Sequence, residues 1–356
     1  MTDLESALIG IYSARCRGGN GVGIDRILPA GRTRFYGYGR QALAEALRLA
    51  GVRAGDEVLM PGLIGCGVLS SLFSLGAVPR FYDVDATLCV DMKSVEGVRS
   101  ERVRAVVAVN YFGFPQPLET LRQWCRASGV ALIEDNAHGF LSVEGDVPLG
   151  RRGDMGVFSL SKTLALPNGA ALVDNREDGI EGEPLAYSGS PRSAEWRYRV
   201  KTMLKRCMAL GGVRSARVLF SAIRMARCAA TGYAVRSLSA DEERLVPQEA
   251  FAPLTARLLR RLDVERERER RRSLYRLCQE LLGKAPGVRP LFGSLPDGVV
   301  PQGFPFMFTG EYPIGFIEAW RGRGVQIVAW PDHLPPDVCV SAPAHYRKLM
   351  LAPFLW

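Results

Sequence analysis

The sequence predicts an α/β protein: a mixed, mostly parallel sheet covered by helices, followed by a smaller C-terminal α+β region. Three observations predict it. Short apolar runs alternate with helix-patterned segments through the first half of the chain, the pattern of an open sheet covered on both faces. That alternation breaks near residue 176. Beyond residue 247 it gives way to a long charged helix and a few strand candidates. A chain of 356 residues has room for about two domains. The reading places a large domain at 1–247, with 176–247 as a basic helical insertion, and a small domain at 248–356.

Taken in order, "RQALAEALRLAGV" spaces its apolar residues as a helix does and closes at Gly51. "DEVLMP" reads as a short buried strand, "GVLSSLFSLGA" as a helix ending at Gly76, and "VPRFYDVD" as the next strand. "RVRAVVAVNYFG" is a strand running into a loop, and "LETLRQWCRASG" an amphipathic helix. "VALIEDNA" is a buried strand ending in two carboxylates, and "MGVFSLS" and "GAALVDN" read as two strands around Lys162. Farther on, "TARLLRRLDVERERERRRSLYRLCQELLG" reads as one long helix with a solvated face over an apolar stripe. "FPFMFTG" and "VQIVAW" are the late strand candidates.

Composition narrows the classes. The start, "MTDLESALIGIYSARC", is acidic and has no basic segment leading an apolar run, so no signal peptide is expected and the predicted location is cytoplasmic. No uncharged apolar run reaches the roughly 20 residues of a membrane span. The 8 cysteines form no CxxC pair, and the 3 histidines are not spaced as metal ligands, so no metal site is expected. Between Arg192 and Arg236 eleven basic residues face only Glu195, which accounts for the whole-chain excess of +9. The remainder is near neutral, which argues against a nucleic-acid partner.

One lysine, Lys162, stands in the uncharged stretch "FSLSKTLALPNGAALV". An ammonium among leucines is costly to desolvate unless it is paired or loses its charge. Open α/β sheets bind ligands beyond the carboxyl ends of their strands. That rule gathers Asn110, Glu134, Asp135 and the Lys162 region. Asp135, at the end of a buried strand, needs a cation or several donors; the plain alternative is a cap or a structural ion pair. Gly39 opens a helix whose first amides, at Arg40 and Gln41, can receive an anion. Ser159 lies three residues before Lys162. A lysine, a carboxylate and an anion cradle are what pyridoxal phosphate requires.

With these residues, "GRQALAEAL", "VVAVNYFGFPQPLETL", "GVALIEDNAHGF" and "GDMGVFSLSKTLALPNGAALV", the sequence resembles the DegT/StrS class of fold-type I pyridoxal-phosphate enzymes, best known as sugar aminotransferases. The resemblance runs from about Phe35 to Val173 and resumes faintly at "LTARLLRRLDVERERERR" and "GVQIVAWPDHL". It implies that Lys162 forms the Schiff base, that Asp135 faces the pyridine nitrogen, and that His138 lies beside the ring. Ser159, Gly39, Arg40 and Gln41 would hold the phosphate. It also implies a homodimer, an amino donor such as glutamate, and a keto-sugar acceptor, in the first instance a nucleotide-linked one.

The sequence departs from the family pattern in three places. Lys162 precedes Gly169 by seven residues rather than five. Gly65 stands where an aromatic ring often stacks on the cofactor, and Asn110 where a histidine is frequent. Two further outcomes are therefore weighed: a sugar dehydratase using the same cofactor, and a degenerate binding module in a membrane-associated pathway. For the basic run 192–236 the readings are an ordinary packed insertion, an anionic-substrate site, and peripheral membrane contact. "GGNGVG" at residues 18–23 follows no clear strand and is read as a loop.

Overall fold

A computed structural model describes residues 23–203, 246–311, 313–322 and 325–354. The basic run beyond residue 203 and all of "GGNGVG" except Gly23 lie outside the described residues.

The larger sheet has seven strands: β1 Thr33–Tyr36, β2 Glu57–Pro61, β3 Val78–Tyr82, β4 Val103–Val109, β5 Ala131–Asp135, β8 Met155–Phe158 and β9 Ala170–Asp174. A two-stranded ribbon, β6 Val143–Glu144 with β7 Val147–Pro148, interrupts the series. The order across the sheet is β1-β9-β8-β5-β4-β2-β3. Strands β8, β5, β4, β2 and β3 are parallel, whereas β9 runs antiparallel to both β8 and β1. Strands β2, β8 and β9 are buried along their whole lengths, as sheets covered on both faces require.

Helix α1, Gly39–Leu49, buries Gln41 to Leu47 and packs on β1, β8 and β9. Helix α2, Glu119–Ser128, packs on β5 and stops at Gly129, whose φ of 64° is left-handed and suits a residue without a Cβ. A smaller antiparallel sheet follows, in the order β10-β11-β13-β12: β10 Val288–Pro290, β11 Gly303–Phe308, β12 Val328–Ala329 and β13 Leu349–Pro353. One apolar core runs through both sheets. Phe114, from the loop after β4, stacks on Phe292 with centroids 3.7 Å apart and meets Tyr275, which in turn meets Phe304 of β11.

The structure departs from the sequence reading at several elements. "MGVFSLS" is strand only to Phe158; Ser159 then leads into a single turn, α3 Leu160–Thr163, which carries Lys162. The expected long helix is two, Pro253–Leu259 and α4 Val264–Leu281, because the Asp263 carboxylate accepts from the Arg266 amide and caps the second. "GVLSSLFSLGA" is divided into a 3₁₀ turn, Cys66–Leu69, and a short helix, Ser70–Phe73. "VQIVAW" contributes only Val328 and Ala329.

Candidate active site

The site lies where the parallel strands β4, β5 and β8 end side by side. The Asn110 amide donates to the Asp135 carbonyl (3.0 Å), and the Asn136 amide to the Val157 carbonyl (2.8 Å). Side chains alternate along a strand, so Glu134 and Asp135 serve opposite faces. On one face Glu134, fully buried, accepts from Arg152 Nη2 (2.6 Å) and Nε (2.9 Å) and from Asn110 Nδ2 (2.8 Å). Arg152 also reaches Asn110 Oδ1 (2.8 Å) and Glu144 (2.6 Å). Asn110 and Glu134 therefore join Asp135 at the strand ends but belong to an ion-paired scaffold behind it.

On the other face, Asp135 Oδ1 accepts from the Ala137 amide (2.9 Å). Burial raises the acid's pKa, and the charge of Lys162 opposes that rise. Lys162 is itself pulled below its ordinary value, by burial first; Asp135 resists this and the nearby Arg40 adds to it. His138 Nε2 lies 3.3 Å from Lys162 Nζ. Its Nδ1 accepts from the Phe112 amide (3.3 Å), which leaves the proton of a neutral ring on Nε2, pointed at the lysine. Burial and the neighbouring Lys162 charge push His138 well below its usual range. The arrangement thus favours a neutral imidazole whose Nε2 faces Lys162 Nζ.

Aromatic walls close the space. Phe112 stacks on His138 at 5.7 Å and 12°. Trp330, just beyond β12, meets His138 and Phe112 edge-on at 5.5 and 4.8 Å. At Gly65, where sequence resemblance marked a missing ring, an added Cβ would meet nothing within 4 Å; the rings gathered beside Lys162 are those of His138, Phe112 and Trp330. Sequence reasoning missed Phe112 and Trp330. The only trace of Trp330 was its place in "GVQIVAWPDHL".

The mouth of α1 faces Ser159. A Cβ added to Gly39 would sit 3.5 Å from Ser159 Cβ and 3.9 Å from its Oγ, so the absent side chain leaves a cradle between helix start and hydroxyl. Arg40 follows Gly39; its Nη1 is 3.8 Å from where a Cβ on Gly67 would lie, and its charge is felt at Lys162. Gln41 departs from expectation. Its amide donates to the Tyr38 carbonyl (3.0 Å), and its side chain accepts from the Tyr38 amide and donates to the Pro247 and Glu249 carbonyls. Gln41 anchors the segment after the insertion and does not turn its donors to the cradle.

Among the described residues no three His, Cys, Asp or Glu side chains gather as a metal site, and no helix is long and apolar enough to cross a membrane.

A mostly parallel seven-stranded sheet, with a lysine on the turn between β8 and the returning β9, defines the fold-type I architecture of pyridoxal-phosphate enzymes. An aminotransferase from Streptoalloteichus hindustanus has this fold: TM-score 0.62 at 19% identity, covering 99% of this chain and 91% of that one. The model of the DegT/DnrJ/EryC1/StrS aminotransferase family matches residues 37–232, and the chain belongs to that family. Over 155 residues it is 39% identical to an L-glutamine:scyllo-inosose aminotransferase of Streptomyces griseus, a match covering 42% of this chain and 37% of that protein. Over 178 residues it is 33% identical to an L-glutamine:2-deoxy-scyllo-inosose aminotransferase of Streptomyces paromomycinus, covering 48% and 41%. These matches thus span well under half the length of each relative.

Proposed function

We propose that this protein is a pyridoxal-phosphate-dependent aminotransferase that moves an amino group from L-glutamine or L-glutamate to a ring ketone of a cyclitol or sugar. The observation that carries the reading is the Lys162–His138 contact, with Asp135 buried alongside in a family of aminotransferases. The site fits the cofactor on its own chemistry: a buried amine and acid coupled by charge, flat aromatic walls, and a cradle at a helix start that a single Cβ would fill.

When bound, pyridoxal phosphate supplies the electron sink that makes loss of a proton next to an amine feasible. Lys162 would hold the aldehyde carbon through Nζ; once released by the donor's amine, it would carry the proton from and to the substrate carbon. Asp135 would keep the ring nitrogen protonated, and His138 would lie beside the ring. Gly39, Arg40 and the Ser159 hydroxyl would take the phosphate. The rings of Phe112 and Trp330 would exclude water from the reacting carbon.

For the donor, the sequence relatives are named for L-glutamine, where the sequence alone led to glutamate. For the acceptor, those names favour a free cyclitol ketone over the nucleotide-linked sugar first expected. A cytoplasmic homodimer, divided near residue 247 into a large and a small domain, completes the reading.

Purified protein incubated with pyridoxal phosphate should absorb near ~420 nm, lose that band on addition of L-glutamine or L-glutamate, and regain it with scyllo-inosose. Lys162→Ala should not form the band. A wild-type protein that stays colourless overturns the reading in favour of a binding module; a band that neither amino acid bleaches favours dehydration.

A further inference from the structure

Arg271, on α4, is completely buried. Its Nε donates to Glu267 (2.8 Å), and its Nη1 to the Pro301 and Gln302 carbonyls (3.1 and 3.3 Å). Its Nη2 donates to the carbonyl of Thr163, the residue after Lys162. An arginine presents its donors in a rigid planar fork, so these acceptors are fixed relative to one another.

Following the bonds outward closes a ring. The Gln302 amide donates to the Phe112 carbonyl (2.9 Å), and the Phe112 amide donates to His138 Nδ1. His138 Nε2 meets Lys162 Nζ, and Thr163, next in the chain, returns to Arg271. Phe112 is left-handed, at φ 57°, a conformation that a non-glycine residue keeps only where its surroundings enforce it.

We infer that Arg271 is a positioning residue that fixes Lys162 against His138 by holding both arms of this ring. The Thr163 bond sets the turn that carries the amine; the Gln302 bond sets, through Phe112, the imidazole that meets it. The inference rests on the assignment of Lys162 above. Without the fork, the turn loosens and water reaches Lys162 Nζ.

The test begins with cofactor-free protein. Cyanate attacks only uncharged amines, so the pH profile of Lys162 carbamylation, followed by mass spectrometry, reports the state of that amine with no catalysis involved. Arg271→Lys retains the charge but not the fork; its profile should move to higher pH, with the rate at neutral pH falling several-fold. In the holoenzyme kcat should fall more than KM rises. Where Arg271→Lys does not accumulate, the paired Glu267→Gln/Arg271→Met removes the fork while leaving Arg270 an acceptor at position 267, and should show the same shift. As a control, Arg34→Met breaks the buried pair with Glu45 and should lower thermal stability while leaving the profile unmoved. A wild-type profile in the Arg271 variants makes Arg271 a core strut and overturns the inference. Failure of the wild-type protein to turn yellow with pyridoxal phosphate would instead overturn the assignment of Lys162, and the carbamylation data would still report on the ring.

Discussion

His138 has both ring nitrogens engaged inside the protein, one by the Phe112 amide and one by Lys162, and burial keeps it from taking a second proton. The unfolded chain has no such restraint, and its histidine protonates near pH ~6.5. Below that pH the unfolded state binds more protons than the folded state, so stability falls as the medium is acidified. The His138 contribution should be about 1.4 kcal/mol per pH unit. It is measured as the difference between wild type and His138→Gln in urea unfolding of cofactor-free protein at a series of acidic pH values. Parallel curves for the two proteins would show that His138 is already charged in the fold. At this scale the sequence was legible where chemistry and position coincide: "IEDNAH" pointed to Asp135 and His138, and "FSLSK" to Ser159 and Lys162, and the structure gathers Asp135, His138 and Lys162 and sets Ser159 against the start of α1. Phe112 and Trp330 were not legible, because an aromatic residue in a loop carries no mark of what it will face. Gln41 was misread because a side chain can cap its own helix, as this one does through the Tyr38 amide.

The cradle belongs to α1 rather than to any one side chain. Gly39 is the first residue of that helix, and its backbone suits any amino acid, since its φ is not among the left-handed ones. Alanine there would meet Ser159 at ordinary contact distance. Gly39→Ala should therefore change folding stability by less than about 0.5 kcal/mol. It should also weaken pyridoxal phosphate binding by about tenfold or more, the equivalent of ~1.4 kcal/mol, by occupying the space in front of the first amides. Equilibrium dialysis with pyridoxal phosphate and with inorganic phosphate measures both affinities; unchanged values would place the phosphate elsewhere. Elements with a clear period or a clear stop were readable, as α2 was from its stripe and Gly129. Boundaries set by capping were not. The break before α4 depends on Asp263 accepting an amide three residues on, and a run of alternating charges hides it. Strand β1 was missed for a different reason: its partner, β9, is distant in the chain, so nothing nearby announces it; β10 and β13 pair with closer strands but carry prolines that blur their period.

At the scale of the molecule the two sheets share one core. Phe114 belongs to the larger sheet's loops, yet its ring is buried against Phe292 and Tyr275 on the side of the smaller sheet. Trp330 likewise comes from the smaller sheet to wall the site. The sheets should therefore unfold together: urea transitions followed by far-UV circular dichroism and by tryptophan fluorescence should coincide. Phe114→Ala should move both to lower urea, with a loss of about 3 kcal/mol in unfolding free energy. Two separated transitions would mean that the sheets are independent. The sequence foresaw a second, smaller α+β region but not this shared interior, because periodicity reports which face of an element is apolar and not which neighbour covers it.

The sheet order also governs how the chain can be built as it is synthesised. Among the described residues strand β1 lies at the sheet's edge with β9 as its one neighbour, so the first of the sheet's seven described strands has no partner there until the seventh has left the ribosome. A nascent chain halted before Ala170 would already contain the lysine, the acid and the imidazole. The stretch that leads into α1 would still be waiting for its place, and the cradle between α1 and Ser159 would close only when β9 threads between two strands made before it.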